Sequence, residues 1–248
     1  MKTSKILLLA ALALVLVGIT TLLITFKITT LNNCIEAQGA LVEREFKTDS
    51  FSGITINSKF DVEITQDTLQ KVTIRAEENL IDNFSVVVKD GQLKVSRIYC
   101  MKKNRNTLVK ISVDTLAQLK VQTGGKIKST NTIKGENIEM EISSGGSAEM
   151  KLAYSSIVCN LSAGAMGILE GYANSFKSDM NSGSTLKAGK LVTKTCNLSA
   201  NSGAMAEVNV TDQLTVEASS GANVHYRGNP VKKNIDAHSG ANVNGLDD

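Results

Sequence analysis

The sequence predicts an all-β protein: a right-handed parallel β-helix (β-solenoid) with rungs of about 19 residues, preceded by an N-terminal transmembrane helix. Three observations predict it. First, one glycine turn recurs seven times: Thr123-Gly124-Gly125, Ser144-Gly145-Gly146, Ala163-Gly164-Ala165, Ser182-Gly183-Ser184, Ser202-Gly203-Ala204, Ser220-Gly221-Ala222 and Ser239-Gly240-Ala241. The intervals are 21, 19, 19, 20, 18 and 19 residues, the regular spacing of stacked units that cannot bury an apolar face alone. Second, only 4% of the chain is aromatic and tryptophan is absent, which suits thin layers of small and β-branched side chains better than a globular centre filled with rings. Third, residues 6 to 26 form an uncharged apolar run of 21 residues.

That run matches the roughly 20 residues a helix needs to cross a hydrocarbon core. It is longer than a signal-peptide h-region, and Lys27-Ile28-Thr29-Thr30 follows it instead of a small-x-small cleavage site. An uncleaved signal anchor is the favoured reading over a cleaved signal. Lys2 and Lys5 against Lys27 place residues 1 to 5 in the cytoplasm, with residues 27 to 45 as a linker and the bulk of the chain on the periplasmic or cell-surface side. Lipidation of Cys34 is the third alternative, but Leu31-Asn32-Asn33 precedes it where processing wants a small residue. The surplus charge lies here too. The first 35 residues hold three lysines and no acid, and the remaining 24 basic residues match 24 acidic ones. A balanced exterior gives no nucleic-acid footprint, and Lys102, Lys103 and Arg105 read as a solvated loop.

Residues 46 to 245 form the predicted β domain. Ile54-Thr55-Ile56, Phe60 to Ile64 and Val72 to Ala76 alternate apolar and polar, the period of a half-buried strand. Phe84 to Val88 and Leu93 to Val95 flank Asp90-Gly91, a hairpin signal, and Glu77 to Ile81 is the one expected helical turn. From Lys110 onward each turn has an apolar segment before it, such as Ile157 to Leu161, and another after it, such as Ile168-Leu169. Two or three short strands per rung are expected. Gly124, Gly145, Gly164, Gly183, Gly203, Gly221 and Gly240 read as structural corners, because glycine takes positive φ without the clash other residues suffer; a phosphate cradle would need a following helix and a lysine at fixed offset.

The segment Phe51-Ser52-Gly53-Ile54, followed by Phe60 to Gln66, resembles the opening of the putative auto-transporter adhesin head GIN domain family. Val72 to Leu80 and Val88 to Val95 continue the resemblance, the Ser-Gly-Ala turns match its body, and Tyr226-Arg227-Gly228-Asn229-Pro230 resembles its closing Y-x-G-x-P segment. The resemblance covers about residues 40 to 245. It implies a right-handed parallel β-helix, exported by bacteria and often tethered to an envelope membrane, with no activity assigned to particular residues. Many members look like lipoproteins, whereas this chain carries a full-length apolar span.

No catalytic residue, cofactor or metal site is expected. His225 and His238 read as exposed strand or corner residues, and no Cys-x-x-Cys is present. Glycoside hydrolysis would need two carboxylates about 5–10 Å apart; Glu139 and Glu141 are followed a rung later by Asn160, and Asp179 and Glu217 fall in non-adjacent rungs. Cys159 and Cys196 share the string Cys-Asn-Leu-Ser-Ala, which suggests equivalent phases two rungs apart, too far to bridge. The function expected is a non-enzymatic, envelope-anchored interaction module that binds a protein or glycan. The alternatives are a carbohydrate-active enzyme on the same scaffold and a structural protein associating with itself through the solenoid ends.

Overall fold

The computed structural model describes residues 13–22, 34–102 and 106–246. Beyond the N-terminal segment it is built of strands, with one 3₁₀ turn at Glu78–Asn83. Stacked coils of about 19 residues run from residue 118 to the C-terminal end. The register shows the period directly: Ile138 lies beside Ile157, Ile157 beside Phe176, Phe176 beside Cys196 and Cys196 beside Leu214, all in parallel pairing.

The central coils differ from expectation in one respect. The two apolar segments of a rung belong to a single long strand, as in Ser147–Leu161, Met166–Met180, Thr185–Ala200 and Met205–Ala218. Alternation of burial along these strands sends every second residue into one core that runs the length of the stack. Large and small neighbours interlock along it. Phe176 is fully buried between Ile157 and Cys196, and Gly171 lies between Leu152 and Leu191. Gly171 has φ 116°, and a Cβ there would stand 2.0 Å from the Leu152 carbonyl oxygen, so the coil admits only glycine at this point.

The N-terminal end is built out of chain order. Gly53–Asn57 and Asp61–Gln66 make a first coil that pairs in parallel with Gln118–Gln122 and Lys126–Ser129. Between them the chain doubles back below that coil, where Gln92–Arg97 and Leu108–Val113 add a further parallel layer. Three antiparallel strands then close the edge: Phe84–Lys89 on Gln92–Arg97, Lys71–Glu77 on Leu108–Val113, and Leu41–Phe46 on Lys71–Glu77. The expected hairpin is present, with Asp90 and Gly91 at φ 52° and 72°. The 3₁₀ turn buries Leu80 and Ile81 against the core.

Cys34 and Cys100 form a disulfide across 66 residues. This pairing was not anticipated from the sequence, and it occupies the thiol that lipidation would need. Cys159 and Cys196 are free and buried. Their phases are not equivalent, however: Cys196 continues the column of Ile157 and Phe176, whereas the carbonyl of Cys159 accepts the Ser178 hydroxyl and Ser178 pairs with Leu198.

Residues 13–22 are helical and exposed. No helix among the described residues is long and apolar enough to cross a membrane. The transmembrane helix expected over 6 to 26 is therefore not shown; its remaining residues, 6–12 and 23–26, lie outside the described residues, as do Lys103 and Arg105.

Candidate interaction groove

From residue 118 onward each coil turns through two residues in left-handed backbone. At Gly183, Ser182 has φ 52° and Gly183 φ 66°, and the Ser184 N–H donates to the Asn181 carbonyl at 3.3 Å. Gly124, Gly145, Gly164, Gly203, Gly221 and Gly240 also take positive φ, each after a Thr, Ser or Ala that does the same. The turns are tied together along the stack. The Gly164 N–H donates to the Ser182 carbonyl at 3.1 Å and the Gly183 N–H to the Ser202 carbonyl at 3.0 Å.

A Cβ at Gly145, Gly164, Gly183, Gly203, Gly221 or Gly240 would meet no heavy atom within 4 Å. No neighbouring layer crowds these six positions. What remains is backbone strain, about 1–2 kcal/mol. The steric demand falls one residue later, where Ala165, Ser184, Ala204 and Ala222 are buried. A Cβ at Gly146 would stand 2.5 Å from the Val121 carbonyl oxygen.

Coils of unequal length disturb the regular ladder of strands. The interval from Gly183 to Gly203 is 20 residues and the next, to Gly221, is 18. The register slips there: Ile168 pairs with Lys187 but Glu170 with Lys190, and Ala188 pairs with Val208 but Val192 with Asn209. The longer coil thus overhangs the shorter one at Gly189-Lys190-Leu191. Beneath the overhang lies an open groove of about 510 Å³, with Ile168 and Leu169 along it and Glu170, Lys187, Lys190, Glu207 and Arg227 around it.

The groove's charges are partly paired. Arg227 Nε donates to Glu207 Oε1 at 2.6 Å, and Lys190 Nζ lies 3.2 Å from Glu170 Oε1. Gly189 makes room for the first pair, because a Cβ there would be 2.2 Å from Glu207 Oε1. Arg227 comes from the Tyr226 to Pro230 segment. Gly228 beside it has φ 83°, and a Cβ would approach the Val210 carbonyl oxygen to 2.3 Å. This segment therefore fixes the guanidinium, a role its turn residues did not disclose in the sequence.

The acids singled out in the sequence lie elsewhere. Asp179 pairs with Ser199 and Ser199 with Glu217, placing the two acids two coils apart, about 9.6 Å at 4.8 Å per strand. Both are exposed around a smaller depression of about 200 Å³. Glu139 lies beside Val158 and Glu141 beside Asn160. The histidines are not brought together as a pair: His225 follows Glu207 in the column after the turn, and His238 Nδ1 lies 3.6 Å from Asp236 on the other side of it. Among the described residues no three His, Cys, Asp or Glu side chains cluster as a metal site. Burial pushes the thiols of Cys159 and Cys196 up to about 12, leaving both as inert thiols at neutral pH. Burial also raises the Tyr154 phenol, whose hydroxyl donates to the Leu116 carbonyl at 2.7 Å.

Residues 50–230 match the family described as "Putative auto-transporter adhesin, head GIN domain". The chain belongs to this family. Solved structures share its fold. The crystal structure of a putative adhesin from Bacteroides fragilis superposes with a TM-score of 0.79 at 19% identity, covering 86% of this chain and 100% of that one. A putative adhesin from Parabacteroides merdae gives 0.70 at 15% identity, covering 87% and 100%. A putative lipid binding protein from Parabacteroides distasonis gives 0.69 at 17%, covering 86% and 99%. No protein with a curated description matches the sequence.

Proposed function

We propose that this head GIN domain protein is a non-enzymatic interaction module, held to the bacterial envelope by residues 6 to 26 and displaying its solenoid outside the cytoplasm to bind a protein or glycan. The observation that carries the reading is the groove beneath the Gly189 overhang. It is where unequal coils shift the register, and it joins the half-buried Ile168 to charged groups that can orient a polar ligand. The adhesin descriptions of the family and of two structural neighbours support the same class. The Cys34–Cys100 disulfide supports an oxidising compartment beyond the cytoplasm.

An enzymatic reading fits the acids less well. A general acid needs a carboxyl held protonated by a desolvating pocket. Glu170 and Glu207 instead pair with Lys190 and Arg227, while Asp179 and Glu217 are exposed.

The test is binding of the full chain, in detergent micelles, to a glycan array, with co-purification for protein ligands, beside a Gly189→Leu variant. Gly189 carries no positive φ, and its nearest contact is the end of the flexible Glu207 side chain, so the variant should fold while filling the groove. We expect bound glycan or protein to be lost in Gly189→Leu with the melting temperature retained. Binding unchanged in the variant removes the groove from the function, and no binding by the native chain removes the module reading.

A further inference from the structure

The N-terminal end carries a small apolar feature that the groove does not explain. Ile98 is 55% exposed and Tyr99 63% exposed, yet their backbone is firmly held. Asn83, itself only 4% exposed, accepts from the Tyr99 N–H at 2.7 Å and donates to the Tyr99 carbonyl at 3.0 Å. The Ile98 N–H donates to the Asn83 carbonyl at 2.9 Å. Displaying an aliphatic and an aromatic side chain on a clamped loop costs solvation without gaining packing in the monomer.

The same loop is fastened to the entry of the chain. Cys100 is bonded to Cys34, and Ile35-Glu36 pairs in parallel with Met101-Lys102. Asn79 fixes the next residues, accepting from the Gln38 N–H and donating to the Glu36 carbonyl. Cys34 follows the apolar run by eight residues, a reach of at most about 28 Å at 3.5 Å per residue. Any membrane that holds residues 6 to 26 therefore lies within that distance of the loop.

We infer that the Ile98-Tyr99 loop seats the N-terminal end of the solenoid on the lipid bilayer, with both side chains in the headgroup interface and the exposed Lys102 beside them toward lipid phosphates. Aromatic and aliphatic side chains with a neighbouring lysine suit that interface. Seating also directs the stack away from the membrane, so the groove and the C-terminal coil stand off from it. The inference rests on the anchor reading above, and its test separates the two.

The chain contains no tryptophan, so Tyr99→Trp supplies a single indole. The full-length variant is reconstituted in phosphatidylcholine vesicles containing phosphatidylglycerol, with and without acyl-brominated phosphatidylcholine. Flotation reports anchoring and indole emission reports depth. We expect a blue-shifted emission quenched severalfold by the brominated lipid, and no quenching in a Val231→Trp control at the far end, where Val231 is 86% exposed. A protein that floats while the indole at position 99 stays unquenched overturns the seating and leaves the anchor. A blue shift without quenching means burial against protein and overturns the seating as well. Equal quenching at 99 and 231 overturns the upright geometry, and failure to float overturns anchor and seating together. Ile98→Trp repeats the measurement should Tyr99→Trp fail to fold.

Discussion

The two ends of the stack face the same physical problem and solve it with unequal means. A parallel solenoid ends in a layer whose backbone donors and acceptors have no neighbour, an open invitation to further pairing. At the N-terminal end the chain doubles back, turns the sheet antiparallel, covers the core with Leu80 and Ile81, and locks its entry with the Cys34–Cys100 disulfide. At the C-terminal end two short strands remain. Lys232–Ala237 pairs with Met205–Ala218, and Asn242–Gly245 with Asn223–Arg227, and every residue from 232 to 237 is exposed. Among the described residues, one end is covered by antiparallel strands and the other presents exposed strands. Cooperativity should be graded to match, with the open end loosening below the global transition.

The disulfide sets the largest difference. Closing a loop of 66 residues removes denatured-state entropy worth about 4 kcal/mol in the chain-entropy treatment. Cys34→Ser with Cys100→Ser should therefore lower the melting temperature of the full chain by roughly 8–16 °C, at about 2–4 °C per kcal/mol for a domain of this size. Reducing agent on the native protein should reproduce the shift. A change under about 2 °C would mean that the strands already hold the entry in place. The same bond bears on dissection of the protein: a fragment beginning at residue 40 leaves Cys100 without its partner.

One substitution placed at two heights sharpens the comparison. Gly183 and Gly240 have φ 66° and 77°, and neither has a heavy atom within 4 Å of a Cβ, so valine costs each turn a similar 1–2 kcal/mol or so of backbone strain. Gly183 lies inside the stack, its N–H bonded to the Ser202 carbonyl. Gly183→Val should lower the global melt by about 2–8 °C. Gly240→Val should leave it nearly unchanged and instead speed amide exchange over residues 232–245, because that coil opens on its own. Equal shifts in the two melts would show that the open end is as cooperative as the body.

Much of this architecture was legible in the sequence, and the illegible parts share a cause. The turns were visible because each repeats a glycine flanked by small residues locally, and the Asp90-Gly91 hairpin because its two strands are adjacent. The doubled-back layer was hidden because nothing local tells Leu93 that it will lie beneath Ile54. Cys34 and Cys100 were hidden for the same reason, being 66 residues apart. The groove was half visible. The 20- and 18-residue intervals stand in the sequence, but only the register shows that the extra length bulges at Gly189, beside Glu207 of the next coil and Arg227 of the one after it.

The smallest expected effect concerns how the open end resists growth. In the sequence, Leu246-Asp247-Asp248 offers one apolar residue and two charges as a cap for the last coil. The Leu246 N–H does bond the Tyr226 carbonyl at 2.8 Å, while Asp247 and Asp248 lie outside the described residues. A stronger device is Lys233. It continues the column of the fully buried Leu214, so in another coil its position would be apolar core. Here its ammonium lies 5.8 Å from the Tyr226 ring centroid, a contact worth about 0.5–1 kcal/mol at an exposed site. A charge at an inward position of an edge strand obstructs docking of another strand, since the incoming layer would have to bury it. Lys233→Leu completes the apolar column, with Ile235 and Val243 beside it, and should change the stability by less than about 1 kcal/mol while raising the dimer fraction of the full chain. Sedimentation velocity in density-matched micelles reads this directly, and Lys233→Arg is the control that keeps the charge. A monomeric Lys233→Leu would assign edge protection to the exposed strands themselves, and dimers in both variants would place the contact away from this end.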